Sequence, residues 1–229
     1  MDFDLTSILI MTPILLMALP FHEFSHAFVA NRMGDPTAKD AGRLTLNPLK
    51  HLDILGVIMM YVAHIGWAKP VPVNSGYFKN RRKGMILVSL AGPLSNLLLA
   101  FVFTLLWGIL AKMVSLGAFN SSSIEIRTII SYVYIFFDTF IYVNIALAIF
   151  NLIPIPPLDG SRLLSSFIPE ESYFRFAKYE QYIGLGFIVL VIFVSNVLKR
   201  PDILSGAISF FADPIYNSMQ LVTTYIFGI

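Results

Sequence analysis

No cysteine occurs in the 229 residues. A disulfide, a thiolate metal ligand and a cysteine nucleophile are therefore excluded, and any metal must be held by nitrogen and oxygen. Charge is scarce as well. Asp, Glu, Lys and Arg make up 13% of the chain against 56% hydrophobic residues, and a mean hydropathy of +0.73 belongs to a polytopic chain whose solvent is mostly lipid. A net charge of +2 is too small to suggest a nucleic-acid partner. The basic residues fall in short loops, where membrane topology places them, and leave no basic stripe. Only four histidines are available: His22, His26, His51 and His64. The opening Met1-Asp2-Phe3-Asp4 is acidic where a cleavable signal would be basic, so the first apolar segment is expected to stay as an anchor. Repeats, low-complexity tracts and interdomain linkers are also absent, and residues 1–229 read as one membrane-embedded domain.

What is present is organised around Phe21-His22-Glu23-Phe24-Ser25-His26, an HExxH motif within an apolar run from Leu5 to Met33. On a helix, His22 and His26 fall about 40° apart and about 6 Å along the axis, with Glu23 about 60° from His26. All three share one face. Two imidazoles at this spacing can hold one zinc ion, and the adjacent carboxylate can take a proton from water activated by the metal. HExxH alone is a loose pattern in a soluble helix, but a spanning helix changes the weighing. An ionised carboxylate there costs roughly 2.5 to 3.5 kcal/mol on insertion scales, so Glu23 calls for a compensating partner. The competing structural reading is a polar cluster that only fastens helices together.

The 5–33 run is long enough to span about 30 Å of hydrocarbon, and Arg32, Lys39, Arg43 and Lys50 after it place its C-terminal end in the cytoplasm. The segment 34–48 is rich in turn residues and reads as a structured surface loop. Residues 52–66 are apolar but too short to cross, and Trp67-Ala68-Lys69-Pro70-Val71-Pro72-Val73-Asn74 follows at once. This pair predicts a re-entrant or interfacial hairpin ending in an edge strand, because proline survives in sheets mainly at edges. Trp67, Lys69, Val71 and Val73 could then pair with an unwound substrate; an ordinary surface turn is the alternative. A second span is expected over 85–111, where Gly92 and Asn96, four apart, read first as helix packing and second as having a direct role in the site, Asn96 as a substrate contact. A third, over 129–153, brings Asp138, Asn144 and Asn151 into the membrane and breaks at Pro154-Ile155-Pro156-Pro157-Leu158-Asp159-Gly160. Such a break is tolerated where it is buried in protein or lines a wet cavity, so Asp159 is expected to face one. Residues 160–181 read as a cytoplasmic loop with a surface helix, 182–198 as a short span, and 203–227 as a segment that crosses or lies on the surface. The expected fold class is all-α, with about five to six membrane helices and a small re-entrant β-hairpin or edge strand near the motif.

Catalytic zinc usually takes three protein ligands and keeps one open position. The candidates for the third are Asp53, His51, His64, Asp138 and Asp159. Depth favours Asp159: Asp138 lies about 12 Å from the level of His22 at about 1.5 Å per residue, whereas a chain turned back by three prolines can bring Asp159 to the metal. His64 and Asp53 stay open.

The motif His22-Glu23-Phe24-Ser25-His26, then GDPTAKDAGRLTLNPLKHLD, GWAKPVPVN, AGPLSN and FNLIPIPPLDG, resembles in content and order the site-2 protease family of intramembrane zinc metalloproteases, in its minimal form without PDZ or CBS domain. The resemblance covers residues 15 to 165. It implies one zinc ion per chain held by His22, His26 and Asp159, Glu23 as catalytic glutamate, and Asn151 in substrate binding or oxyanion support. It also implies a transmembrane protein substrate, a lipid bilayer around the chain, and a multi-pass protein of the cell membrane with its active site towards the cytoplasmic half.

Other chemistries fit less well. An aspartyl intramembrane protease needs paired membrane aspartates, which Asp138 and Asp159 superficially provide, but the GxGD signature is absent because Asp159 follows Pro157-Leu158. A serine protease needs a serine paired with a histidine, and the four histidines lie in the motif or near the hairpin. A metal transporter would show two related helix sets, and no such symmetry is visible. A catalytically silent relative would lack the general base, yet Glu23 is present.

Overall fold

Pro13 and Pro20 each remove one helical hydrogen bond, yet the first apolar run folds as a single helix, α1 (Leu5–Arg32). The computed structural model describes residues 5–54, 56–57, 66–168, 170–194 and 202–229. After α1 the chain reverses at Gly34, whose φ of +105° suits glycine, and enters the one-turn helix α2 (Thr37–Asp40). Asp35, fully buried, anchors this corner. It accepts the Thr37 amide at 3.0 Å, the Thr37 hydroxyl at 2.5 Å and, from the far end of the next loop, the Asn74 amide at 2.6 Å.

That loop differs from the expected hairpin. Leu52 and Ala68 make one isolated antiparallel bridge, and no strand of a sheet forms among the described residues. Pro70 and Pro72 deprive the segment of two ladder donors, which leaves it tied down by scattered bonds instead. Lys69 donates its amide to the His51 carbonyl at 2.8 Å, and its own carbonyl accepts from the Arg43 guanidinium at 2.5 Å. The tip of the expected re-entrant turn, residues 58–65 with His64, lies outside the described residues.

α3 (Arg81–Ser115) starts where the Asn80 side chain accepts the Lys83 amide at 2.9 Å, an N-cap that satisfies one orphan donor. α4 (Ile124–Asn151) returns antiparallel to it and ends before the proline run, in which the Pro156–Pro157 bond is cis. Asp159 opens the short α5 (Asp159–Ser165), followed by α6 (Glu170–Ile192) and α7 (Asp202–Phe227). α3 is the central element, packing on α1, α4, α5 and α7. Ala100, Ile141, Ile145 and Ala212, all fully buried, form the α3–α4–α7 core. Two Tyr–Asp pairs join α4 to α7: the Tyr216 hydroxyl donates to Asp138, and the Tyr142 hydroxyl donates to Asp213 at 3.1 Å. This gives the intramembrane Asp138 a structural partner.

The chain is mostly helical, and three helices among the described residues are long and apolar enough to cross a membrane: Ile8–Arg32, Arg81–Ser115 and Ile124–Asn151. The five to six membrane helices expected are not confirmed by this count, which covers the described residues. The expected boundary between a surface helix before 181 and a span from 182 is absent, because α6 carries both as one helix whose first half keeps Lys178 and Glu180.

Candidate metal centre

The centre is built where α1 lies against α3 and the proline-broken return of α4 folds back onto both. His22 and His26, one turn apart, present their rings edge to face with centroids 4.6 Å apart. Each ring is fixed by α3. His26 Nδ1 lies 2.7 Å from the Val88 carbonyl, which can only accept, so Nδ1 carries the proton. His22 Nδ1 lies 3.2 Å from Asn96 Oδ1, in the same relation. With both Nδ1 atoms committed as donors, both Nε2 atoms hold lone pairs. They point at one place: the two Nε2 atoms are 3.0 Å apart, and each is 3.1 Å from Asp159 Oδ2.

Three acceptor atoms converging in a buried site repel one another unless a cation or proton lies among them. This donor set therefore fits a metal. Donors about 2.0–2.1 Å from a tetrahedral ion sit about 3.3 Å from each other, within a few tenths of an ångström of the spacings here. Two imidazole nitrogens and one carboxylate oxygen suit zinc and leave a position for water.

Glu23, next to the cluster and buried, has the partner that its depth demands: Oε2 accepts the backbone amide of Val71 at 2.9 Å. Asp159 reaches the cluster because Gly160 follows it. A Cβ on Gly160 would stand 2.3 Å from the Leu152 carbonyl oxygen and 2.5 Å from that of Ile153, so the return path closes only with glycine.

The other sequence candidates separate clearly. Asp53 caps a turn, accepting the Gly56 amide at 2.9 Å. His51 is buried with Nε2 at 2.7 Å from the Thr45 carbonyl, and Asp138 is held by Tyr216. Asn151, half-buried, donates one amide proton to Leu147 of its own helix at 2.9 Å, which leaves its second N–H. Val71 offers a substrate no side chain, since that side chain is packed against Ala27 and Ala38; only its backbone faces the site. Val73 is half-buried in the same packing, Lys69 is exposed and Trp67 is intermediate.

Asn96 was read from sequence as packing or as a substrate contact, and its observed partner is His22. Gly92, one turn before it, is read from the sequence first as helix packing, with a direct role in the site second, and the structure sets it against the histidines. A Cβ there would lie 2.4 Å from His26 Nε2 and 2.5 Å from His22 Nε2, so this glycine forms the wall of the centre. The available signal was the shared spacing: 92/96 on α3 and 22/26 on α1 are both i, i+4 pairs, able to face one another along two helices. Asn96→Leu is expected to release the His22 ring and lower zinc affinity about 10- to 100-fold, the usual cost of losing such a support; competition with a chromogenic chelator measures it.

The sequence matches peptidase family M50 over residues 10–193. The chain belongs to this family, the site-2 protease family that its motifs resemble. Among curated relatives, "Putative zinc metalloprotease YwhC" of Bacillus subtilis is 44% identical over 184 residues, 79% of this chain and 78% of the relative. Rip2 of Mycolicibacterium smegmatis, described in the same words, is 32% identical over 192 residues, 81% of this chain and 66% of Rip2. MJ0611 of Methanocaldococcus jannaschii is 34% identical over 149 residues, 63% of each chain. No solved structure matches significantly. The M50 match encloses α3, α4, α5 and α1 from residue 10 onward, and therefore every residue of the cluster. A peptidase family and three apolar helices of spanning length together make this a multi-pass membrane protease.

Proposed function

We propose that this M50 chain is an intramembrane zinc metalloprotease that hydrolyses a peptide bond within or beside the transmembrane segment of a membrane protein. One zinc ion per chain is held by His22, His26 and Asp159. Residues 1–229 act as one domain of about five to six membrane segments in the cell membrane, with the centre towards the cytoplasmic half. The observation that carries the reading is the convergence of two Nε2 lone pairs and one carboxylate oxygen at 3.0–3.1 Å beside a buried glutamate.

When bound, zinc supplies a Lewis acid that activates water and polarises the scissile carbonyl. The chain's residues do the rest. Glu23 takes the proton from the attacking water and delivers it to the leaving amine, as a general base and then acid. The free N–H of Asn151 donates to the developing oxyanion or to the substrate backbone. A helical substrate shields its peptide bonds and must unwind locally. The 67–74 segment, already fastened to α1 and α2 through Glu23 and Asp35, is placed to receive it, with Trp67 and Lys69 as side-chain contacts. Because Pro70 and Pro72 lack amide protons, that segment offers carbonyl acceptors at these two positions, and pairing there would use the substrate's N–H groups.

Asp159→Asn tests the ligand assignment. It keeps the shape of the side chain and removes its charge. The variant is expected to bind zinc more than about 100-fold more weakly and to lose cleavage of a single-span substrate in detergent in proportion. Wild-type zinc content in Asp159→Asn would exclude this residue as a ligand. Zinc transport by the wild type without chelator-sensitive proteolysis would overturn the protease reading as a whole.

A further inference from the structure

A cavity of about 630 Å³ opens between the proline run, α5 and α6. Its size is that of a small-molecule site, and its two ends differ. Arg162 of α5 and Lys178 and Glu180 of α6 line the polar end, whereas Pro156, Leu185 and Ile188 line the apolar end. The change follows the sequence of α6, in which the charges stop at Glu180 and the helix is apolar from Tyr182 onward. The cavity thus runs across the point where this helix changes from charged to apolar residues. Gly184 lies beside the proline run there, where a Cβ would stand 3.5 Å from the Pro156 carbonyl, an ordinary contact.

The charges are not spent on one another. Among the described residues, neither Arg162 nor Lys178 forms an ion pair with Glu180 or with another carboxylate. Two cations and one carboxylate leave a net positive charge at the polar end. A ligand with a negative head and an apolar tail is complementary to both ends at once.

We propose that this cavity binds an anionic phospholipid, its headgroup phosphate against Arg162 and Lys178 and an acyl chain along Leu185 and Ile188. Arg162 makes the site consequential, because it lies one turn from Asp159 on α5. An occupant there braces the loop that presents the third donor to the metal centre, so lipid composition and activity are coupled.

The test uses the full-length protein in nanodiscs of dioleoyl-phosphatidylcholine containing a trace of spin-labelled phosphatidylglycerol or spin-labelled phosphatidylcholine. Electron paramagnetic resonance reads the motionally restricted fraction. Wild type is expected to retain phosphatidylglycerol over phosphatidylcholine. Arg162→Gln with Lys178→Gln is expected to lose that preference, by about five-fold per cation, with helix content unchanged. Glu180→Gln is expected to strengthen it by a similar factor. An unchanged preference in both variants would assign it to the general lipid annulus and overturn the site. Displacement of the labelled lipid by millimolar glycerol phosphate would show a site for soluble phosphates instead. Absence of any preference in wild type would refute the proposal outright.

Discussion

Glu23→Gln is expected to keep its zinc and lose cleavage by a factor of about 10² to 10⁴, the contribution usual for a positioned general base. The two amino acids are nearly isosteric, and the buried position of Glu23 gives the substitution no room to relocate. Its oxygen can still accept the Val71 amide, at 2.9 Å in the native protein, so the 67–74 segment stays in place. What is removed is the ability to take a proton from water. Metal analysis and single-turnover cleavage on the same preparation separate the two properties. Zinc loss in Glu23→Gln would make Glu23 a structural support of the centre, and full activity would remove it from the mechanism.

Gly92→Ala is expected to abolish zinc binding through one methyl group. A Cβ at 2.4 Å from His26 Nε2 and 2.5 Å from His22 Nε2 is far inside van der Waals contact and next to the two nitrogens that the metal needs. Relief is blocked on both sides. The rings are pinned through Nδ1 to Val88 and Asn96 on the helix that carries residue 92, so pushing α3 away breaks the bonds that orient them. The loss should appear as zinc content below about a tenth of the wild-type value with helix content retained, since alanine favours a helix more than glycine does. Ala100→Gly, two turns further along in the α3–α4–α7 core, serves as the control. It should lower thermal stability, with about 1 kcal/mol lost to propensity, and leave zinc content intact. Equal zinc loss in both variants would show that residue 92 acts through global packing.

The parts of this protein that are legible in its sequence are those written in local periodicity. An apolar run of spanning length and two histidines at i, i+4 determine α1 and the face it presents, because a helix fixes those angles whatever surrounds it. The third donor was within reach for a different reason: three prolines with a glycine after Asp159 leave the chain few ways to continue, and one of them returns to α1. Long-range pairings were harder. Nothing around Val71 signals that its amide will meet Glu23, forty-eight residues earlier in the chain, and a run alternating with prolines looks like an edge strand, though among the described residues it makes only one isolated bridge. A direct role for Gly92 ranks below packing in the sequence because a small residue in a membrane helix has an ordinary explanation in packing. The sequence suggests a boundary at 181 because the composition changes there from charged to apolar, but a helix runs through a change in composition without breaking.

The pinning of both imidazoles by α3 has a consequence for how such a protein can diverge. Val88, Gly92 and Asn96 are spaced four residues apart and act together only while they share one stripe of the helix. A single residue inserted among them would turn Asn96 by about 100° and carry it about 1.5 Å along the axis, leaving His22 without its support. Length changes are therefore excluded from this stretch of α3, while the turn between α3 and α4, where Gly117 takes a φ of +75° far from the centre, is free to grow or shrink. The chemistry of this enzyme can drift by exchange of side chains, but its helical register is inherited whole.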